Sequence, residues 1–400
     1  MDLDARIKRR QAHDEGQRLV QNYESLSPAA HIEEPSDRGP VFERLLDHLD
    51  PVFEGTLPPN AYVHGAFGSG KSAIVTALFT HLNRLSTQTG SVIHTSTRAA
   101  SPTIPEFVYL DMRETASEFA FYHWILDACV EETVPKHGIS TDELRTRLHD
   151  ALSQWYTGAV LAIDHIGEPD SIETETLVNR LSGLPSNVSW LAISRKPPEE
   201  TDLTTYTATS IEINRYQRQM LVDVLMTRAS AGLTQQALDH DLARKIAEWA
   251  DGNAHDALAA LFIAADRANR ERRTRLKDAD VAAAIEEIPR PSVSMARVQA
   301  LPENKQLVLR KLVDLPSENR ASVAATTDAI STSPGLDLSR GTVKRFLYEM
   351  AEIGIVDRVQ AEGNSGKGRP PSRVELRFPA TLFRRLYDLR QDSTVAPAEL

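Results

Sequence analysis

The residues best suited to chemistry in this 400-residue chain form one glycine-rich segment, GAFGSGKS. It fits the pattern G-x-x-x-x-G-K-[ST], in which glycines let successive backbone N–H groups face one anion. Lys71 is spaced to reach the β- and γ-phosphates of a nucleotide, and the Ser72 hydroxyl to hold Mg²⁺. AYVH before it predicts a strand, and SAIVTALFTHLNRL after it predicts a helix whose N-terminus attracts the same anion. The alternative is a glycine-rich turn that binds nothing. The predicted nucleotide contacts are Gly65, Ala66, Phe67, Gly68, Ser69, Gly70, Lys71 and Ser72.

A phosphate loop of this kind needs an acidic residue on a neighbouring strand to anchor Mg²⁺, and AVLAIDH supplies Asp164. Ligands of open α/β sheets bind at this carboxyl edge of the strands. Many ATPases place a water-polarising glutamate directly after the aspartate, but here that position is His165, and Glu168 is the nearest substitute. SWLAISRKPP predicts a further strand that ends with Arg195, either near the γ-phosphate or simply in solvent. The catalytic candidates are Asp164, Glu168 and Arg195, and the Mg²⁺ ligands, through the nucleotide, are Ser72 and Asp164.

The segment LDLSRGTVKRFLYEMAEIGIVDRV predicts a helix capped by Ser339 that packs by one apolar face and carries cations on others. Such a helix suits the major groove of duplex DNA. A glycine-rich loop follows between two predicted strands, IVDRVQ and RVELRF, and its cations would contact phosphates. The alternative is a winged helix that binds protein. The candidate DNA-binding residues are Arg340, Lys344, Arg345, Lys367, Arg369 and Arg373.

The amino-acid composition limits the classes of protein to which this chain can belong. Hydrophobic residues make up 41% and charged residues 25%, which is typical of a globular chain, and the net charge of −11 excludes nucleic-acid coating through overall basicity. Residues 301–390, with 15 Lys+Arg against 11 Asp+Glu, are basic by contrast. Cys129 is the single cysteine, which excludes a disulfide scaffold and a cysteine zinc ribbon. The sequence shows neither a signal peptide nor a membrane span, so we expect a cytoplasmic protein with no membrane partner.

The pattern along the chain predicts three folded parts. Short apolar runs alternate with helical patterns between 26 and 213, which is typical of an α/β domain with a mostly parallel sheet. Residues 214–290 carry helical periodicity alone. The proline-containing segment IPRPSV predicts a linker, and 298–390 carry helices followed by two strands. Residues 1–25 are strongly charged and predict a solvated tail or helix.

In this order of parts the chain resembles the archaeal origin-recognition and cell-division-control replication initiators, which are AAA+ ATPases. The resemblance extends to EPSDRGPVFERLLDHLDPVFEGTLPPNAYVHG at the entry, to NRYQRQMLVDVLMTRA opening the lid and to the lid helix ADGNAHDALAALFIAADRA. It implies an α/β AAA+ P-loop domain with a parallel sheet, an all-helical lid and a C-terminal winged-helix domain. It also implies ATP or ADP with Mg²⁺ as cofactors, double-stranded DNA as the partner, and related initiator ATPase subunits as further partners.

Four departures from the family pattern concern hydrolysis. The chain has His165 after the Mg²⁺ aspartate, Arg195 where asparagine is usual, and His255 where the lid helix usually carries arginine. The stretch TDLTTYTATS lacks the usual arginine finger. An arginine finger contributes about 10³–10⁵ in rate in related systems, and general-base catalysis about 10²–10⁴. We therefore expect nucleotide binding with slow hydrolysis at most. His255 is assigned to the nucleotide, with a plain surface lid residue as the alternative.

Two other functions fit the same sequence. The chain is alternatively a transcription or plasmid-maintenance regulator that binds an operator on this fold and needs no ATP cycle. It is otherwise a degenerate subunit that completes an initiator assembly and contributes structure rather than catalysis.

Overall fold

The computed structural model describes residues 18–31, 38–90, 104–115, 117–153, 158–169, 171–360 and 372–395. Two compact units divide the chain: the sheet unit, His31–Met220, and the helical unit, which joins the N-terminal residues up to Ala30 with Leu221–Leu400. The predicted fold class, a parallel α/β domain with a helical lid and a winged helix, is confirmed.

The sheet unit is built on five parallel strands in the order β2-β3-β4-β1-β5. These strands match the five apolar runs expected from the sequence. Side chains alternate between two cores, so that Tyr62 packs on one face of the sheet and Val63 on the other. Burial on both faces explains why the three inner strands are mostly apolar, while the edge strand at 209–212 is mostly exposed. The strands are β1 (Ala61–His64), β2 (Glu106–Asp111), β3 (Ala159–Ile166), β4 (Val188–Ser194) and β5 (Thr209–Glu212).

Helices cover both faces of this sheet, as parallel strand connections require. Ser117 caps one of them by accepting a hydrogen bond from the Ala120 N–H, which satisfies a backbone donor at the helix start. The helices are α1 (Gly39–Leu49), α2 (Lys71–Gly90), α3 (Glu118–Cys129), α4 (Thr141–Ser153) and α5 (Thr174–Ser182). Short 3₁₀ segments lie at Asp50–Glu54, Pro198–Glu200 and Asp202–Tyr206.

The helical unit begins with the N-terminal segment, of which residues 18–30 are described. The sequence predicted solvation for residues 1–25, but Leu19 and Val20 are buried, as is Leu26 directly after them. Val20 forms an antiparallel bridge with Leu233. Gly232 lies so close to this segment that an added Cβ would come within 2.6 Å of Leu26. The described part of the segment is therefore packed against the lid, and the expected solvated tail stays a prediction only for residues 1–17, which lie outside the described part.

Four lid helices follow, and the linker after them is fixed by hydrogen bonds. In the linker, Ser292 Oγ lies 2.5 Å from Asp256 Oδ1, and the Val293 N–H donates to the Arg377 carbonyl at 2.8 Å. Arg290 lies over the Trp249 ring at 4.1 Å. These contacts tie the lid to the winged helix. The lid helices are α6 (Arg218–Gly232), α7 (His240–Ala250), α8 (Ala254–Arg270) and α9 (Asp278–Glu287).

The winged helix closes the chain. Ser339 accepts from the Thr342 N–H and caps the predicted DNA helix, whose Val343, Leu347 and Met350 are buried while Phe346 is half-buried. Strands β6 (Val356–Gln360) and β7 (Ser372–Leu376) pair antiparallel, as expected. Its helices are α10 (Met295–Gln299), α11 (Glu303–Asp314), α12 (Val323–Ser331), α13 (Arg340–Glu352) and α14 (Ala380–Val395), with a 3₁₀ turn at Ser317–Arg320. No helix in the described ranges is long and apolar enough to cross a bilayer.

Candidate nucleotide site and DNA interface

The phosphate loop joins β1 to α2, and two of its glycines are required by its shape. Gly68 and Gly70 have φ of 73° and 86°, a region that side chains with a Cβ rarely adopt. Gly70 also faces Tyr216, whose hydroxyl would lie 2.6 Å from an added Cβ. Because α2 begins at Lys71, the open N–H groups of its first turn lie at the loop, as an anion site needs.

Lys71 is buried in this loop. Its ammonium donates to the carbonyls of Gly65 at 2.8 Å and Ala66 at 2.9 Å. Burial and, to a smaller extent, the charge of Arg195 lower the Lys71 pKa to about 8, while Asp164 opposes the shift. A lysine so placed gains from an anion, because phosphate favours its charged form.

Asp164 lies at the carboxyl end of β3 and is almost fully buried. Burial by itself raises its pKa, but His165, the Ser72 hydroxyl and Tyr109 together lower the pKa below its ordinary value. The Tyr109 hydroxyl donates to Oδ2 at 2.7 Å. The carboxylate is thus ionised and hydrogen-bonded to the Ser72 hydroxyl. Carboxylate and hydroxyl oxygens are ligands suited to Mg²⁺, so Ser72 and Asp164 are the residues that would hold it.

A β-bulge interrupts the pairing of β3 with β4 directly after Ile163. His165 sits in the bulge with φ of 65°, a conformation that a non-glycine residue seldom adopts. Its ring faces three carboxylates: Nδ1 lies 3.2 Å from Glu168, and Nε2 lies 3.7 Å from Asp164 and 3.9 Å from Asp111. The position directly after Asp164 is therefore filled by a side chain that binds carboxylates and does not supply one.

Glu168 is buried and held by two partners. Arg195 lies 2.7 Å from Oε1, and His165 approaches the same oxygen. Although burial raises its pKa, the hydrogen bond with His165 and the charge of Arg195 lower the Glu168 pKa to about 2. The Arg195 guanidinium also lies over the ring of Phe67, in the phosphate loop, at 4.5 Å. The structure thus brings Glu168, Arg195 and the loop together.

Sequence reasoning missed three residues at this edge. Asp111 ends β2 and pairs in register with Asp164, and Arg113 forms an ion pair with Asp111. Tyr109 hydrogen-bonds to Asp164 from the same strand. The signal for Asp111 was present, because the run FVYLD ends on aspartate as AVLAID does. The partnership of Tyr109 depends on the strand order, which the sequence does not display.

His255 lies in the helical unit and is buried, which corrects the expectation of a surface residue. Its Nε2 accepts from the Met295 N–H at 3.0 Å, and Nδ1 lies 3.2 Å from Asp256. Both ring nitrogens thus face protein groups between the lid helix α8 and the winged helix. That environment gives His255 a packing role, and the nucleotide role that the sequence suggested stays a prediction.

The exposed face of α13 carries cations, most of them with acidic or aromatic neighbours. Arg340 pairs with Asp328, and Arg345 lies 3.5 Å from Glu349. Lys344 lies 5.8 Å from the centre of the Tyr348 ring, and Arg358 of β6 lies over the same ring at 4.2 Å. Sequence reasoning missed both Tyr348 and Arg358. Arg373 pairs with Glu375 at 2.7 Å, and the predicted wing residues Lys367 and Arg369 lie outside the described residues.

The sheet unit thus has the architecture of a P-loop ATPase of the AAA class, and a family model described as "AAA ATPase domain" matches residues 37–193. The ORC1-type DNA replication protein 1 of Aeropyrum pernix is 28% identical over 82% of this chain and 85% of its own length. The Aeropyrum pernix ORC1 protein, solved in complex with DNA, has a TM-score of 0.62 at 23% identity and covers 95% of this chain and 100% of its own. The Aeropyrum pernix ORC2 protein, solved as ADPNP–ADP complexes, has a TM-score of 0.54 at 15% identity and covers 94% of this chain and 100% of its own. Over most of its length the chain is thus similar to archaeal ORC1-type DNA replication proteins.

Proposed function

We propose that this chain is a replication initiator that binds ATP or ADP with Mg²⁺, binds duplex DNA through its winged helix, and hydrolyses ATP slowly at most. One observation carries the nucleotide part. A buried lysine, a serine hydroxyl and a buried, ionised aspartate converge on a glycine loop at the carboxyl edge of a parallel sheet. Relatives named as DNA replication proteins support the same function, and so do structural neighbours that were solved with DNA and with nucleotides.

Slow hydrolysis follows from the partners of Glu168. A general base must have its carboxylate directed at the attacking water. Glu168 instead faces Arg195 and His165, and its pKa of about 2 makes it a weak proton acceptor. To become a stronger base, the carboxylate must lose the two partners that lower its pKa through Oε1. Chemistry is then limited by that rearrangement or proceeds with a weak base, and in either case turnover is low.

The nucleotide part is tested by equilibrium binding of fluorescent mant-ADP to the full chain stripped of nucleotide. Asp164→Asn keeps the shape of the side chain but removes the carboxylate, so Mg²⁺ should no longer strengthen binding. Lys71→Ala should weaken binding with and without Mg²⁺, because it removes the charge next to the phosphates. Equal Mg²⁺ dependence in the wild type and Asp164→Asn would contradict the assignment of Asp164.

The DNA part rests on the exposed cations Lys344 and Arg358, which lie against the half-buried Tyr348 beside the other cations of α13. Protein that neutralises several phosphates releases counterions, and affinity then falls steeply as salt increases. Titration of a fluorescent duplex at several salt concentrations measures that slope. No binding, or binding insensitive to salt, would favour a winged helix that binds protein.

A regulator without an ATP cycle is the second candidate, and the ion pair between Arg195 and Glu168 favours it. In that case nucleotide has a structural role and DNA affinity is independent of it. Comparison of duplex affinity for the wild type and Lys71→Ala separates the two functions. A nucleotide-dependent initiator requires the two affinities to differ, whereas the regulator predicts that they are equal.

A further inference from the structure

Arg38 is a buried cation with an unusual set of partners. It precedes α1, and only 4% of its surface is exposed. Within the described part of the chain it has no acidic partner. Its guanidinium donates instead to two main-chain carbonyls, from Nη2 to Ser69 at 2.7 Å and from Nη1 to Asn214 at 3.0 Å. The ring of Tyr216 covers one face of the guanidinium, with its centre 3.6 Å away.

These partners compensate the charge only in part. Burying an ion without an opposite charge is costly, and neutral carbonyls and an aromatic face recover less than a carboxylate does. Nε of Arg38 is buried and forms no hydrogen bond to described residues. An anion nearby would lower the cost of keeping this cation buried. The phosphate loop, to which Ser69 belongs, is the place in the sheet unit built to receive one.

The contact with Ser69 also orients the loop. In a trans peptide the carbonyl and the following N–H point in opposite directions. By holding the Ser69 carbonyl, Arg38 turns the Gly70 N–H to the opposite side of that peptide. Gly70 lies directly before α2, so its N–H is among the donors available to an anion at the helix start. Arg38 thus fixes one of the donors on which phosphate binding depends.

The other partners lie on the segment from Ile213 to Tyr216, which is packed against both ends of the loop. An added Cβ on Gly65 would lie 2.2 Å from the Ile213 carbonyl, and one on Gly70 would lie 2.6 Å from the Tyr216 hydroxyl. The Ile213 N–H donates to the His64 carbonyl at 2.7 Å. The loop therefore has little room to move without this segment, and Arg38 hydrogen-bonds to both.

We propose that Arg38 is a positioning residue that couples phosphate binding in the loop to the order of the segment from Ile213 to Tyr216. The proposal rests on the proposed nucleotide binding. An anion in the loop offsets the burial of Arg38 and strengthens its hold on Ser69 and Asn214. By reciprocity, that hold strengthens nucleotide binding. The segment leads directly into α6, the first lid helix, so nucleotide occupancy is transmitted to the entry of the lid.

The test compares Arg38→Met with Arg44→Met in the full chain. Arg44 is a matched control, because it also donates to a carbonyl of the sheet unit, that of Glu212 at 2.8 Å, but it is exposed and its partner lies on β5 rather than in the phosphate loop. We expect Arg38→Met to weaken mant-ADP binding about 5- to 150-fold, the usual range of coupling between sites. Arg44→Met should bind like the wild type. Arg38→Lys should recover part of the loss, because it keeps the charge but cannot hold both carbonyls in a fixed fork.

Hydrogen exchange separates coupling from simple destabilisation. In the wild type, ADP should slow amide exchange in a peptide that covers Ile213–Tyr216, and Arg38→Met at saturating ADP should lose that response. If Arg38→Met binds ADP as tightly as the wild type, or keeps the full exchange response, the proposed coupling by Arg38 is overturned while the proposed function stands. Wild-type protein that does not bind ADP would overturn the proposed function as well. If Arg38→Met fails to fold, Arg38→Lys and Tyr216→Phe test the same proposal through mant-ADP affinity and amide exchange.

Discussion

At the scale of residues, the candidate site combines a phosphate loop that contains Lys71 with a histidine, His165, whose ring lies among three carboxylates. The phosphate loop and Asp164 follow from spacing within one segment. The ring of His165 among Asp111, Asp164 and Glu168 arises because β2 and β3 end at the same sheet edge. The left-handed backbone at His165 was equally hidden, since the residue type does not require it.

Restoration of a carboxylate after the Mg²⁺ aspartate should increase ATP turnover. His165→Glu supplies the missing water-polarising group, and general-base catalysis contributes about 10²–10⁴ in rate. We expect an increase of about tenfold or more, reduced from that range because the arginine finger is still absent. Steady-state phosphate release measures it, with His165→Gln as the control of similar size. Equal rates for the two variants would contradict this account of slow hydrolysis.

The Lys71 pKa of about 8 predicts a pH dependence of nucleotide binding. Below pH 8 the ammonium is charged before nucleotide arrives. Above pH 8 it has lost its proton and must regain one, because phosphate raises its pKa. Affinity for mant-ADP should therefore fall as pH rises through 8, approaching about tenfold per pH unit. Calorimetry in two buffers of different ionisation heat should show proton uptake at pH 9, and its absence would contradict the role of Lys71.

At the scale of elements, periodicity predicted the strands and the helices of the lid and winged helix, because each buries a continuous apolar stripe. Periodicity did not predict which surfaces the connecting segments contact. The linker was expected from its prolines, and its polar groups Ser292 and Val293 N–H turned out to be hydrogen-bonded to the lid and the winged helix. Short segments carry too few apolar residues to show in the sequence which surface they pack against.

His255 joins the same two elements, which predicts the effect of placing the family's lid arginine there. Arginine has no acceptor atom, so His255→Arg leaves the Met295 N–H without its partner. The free energy of unfolding in urea should fall by about 1–3 kcal/mol. His255→Gln retains an acceptor and should lose less. An arginine variant as stable as the wild type would contradict the buried position of His255.

Arg358 provides a test of the winged-helix surface. It lies over Tyr348 beside Lys344, so Arg358→Ala removes a cation from the middle of the proposed interface. Duplex affinity should fall, and the slope of affinity against salt should decrease by about one counterion. Arg244→Ala is the control, since Arg244 is an exposed arginine on lid helix α7. Equal losses in both variants would point to a general effect of charge.

At the scale of the whole molecule, negative and positive charge lie in different parts of the chain. The chain carries −11 overall, while residues 301–390 hold 15 basic against 11 acidic residues. An acidic remainder repels DNA, so under the proposed function the basic winged helix is the preferred contact. The sheet unit and the helical unit each pack around their own core, and the N-terminal segment belongs to the second. That placement joins the two ends of the described chain in one unit, which no local pattern in the sequence indicates.

The central claim is that the chain holds nucleotide in the phosphate loop but hydrolyses it slowly. The most direct test is to extract nucleotide from the purified full chain and then follow phosphate release after addition of ATP and Mg²⁺, with and without duplex DNA. Lys71→Ala is measured alongside. We predict bound or readily acquired nucleotide that Lys71→Ala loses, with turnover far below one per minute. A wild-type protein that takes up no nucleotide, or that turns over ATP many times per minute, would contradict the account.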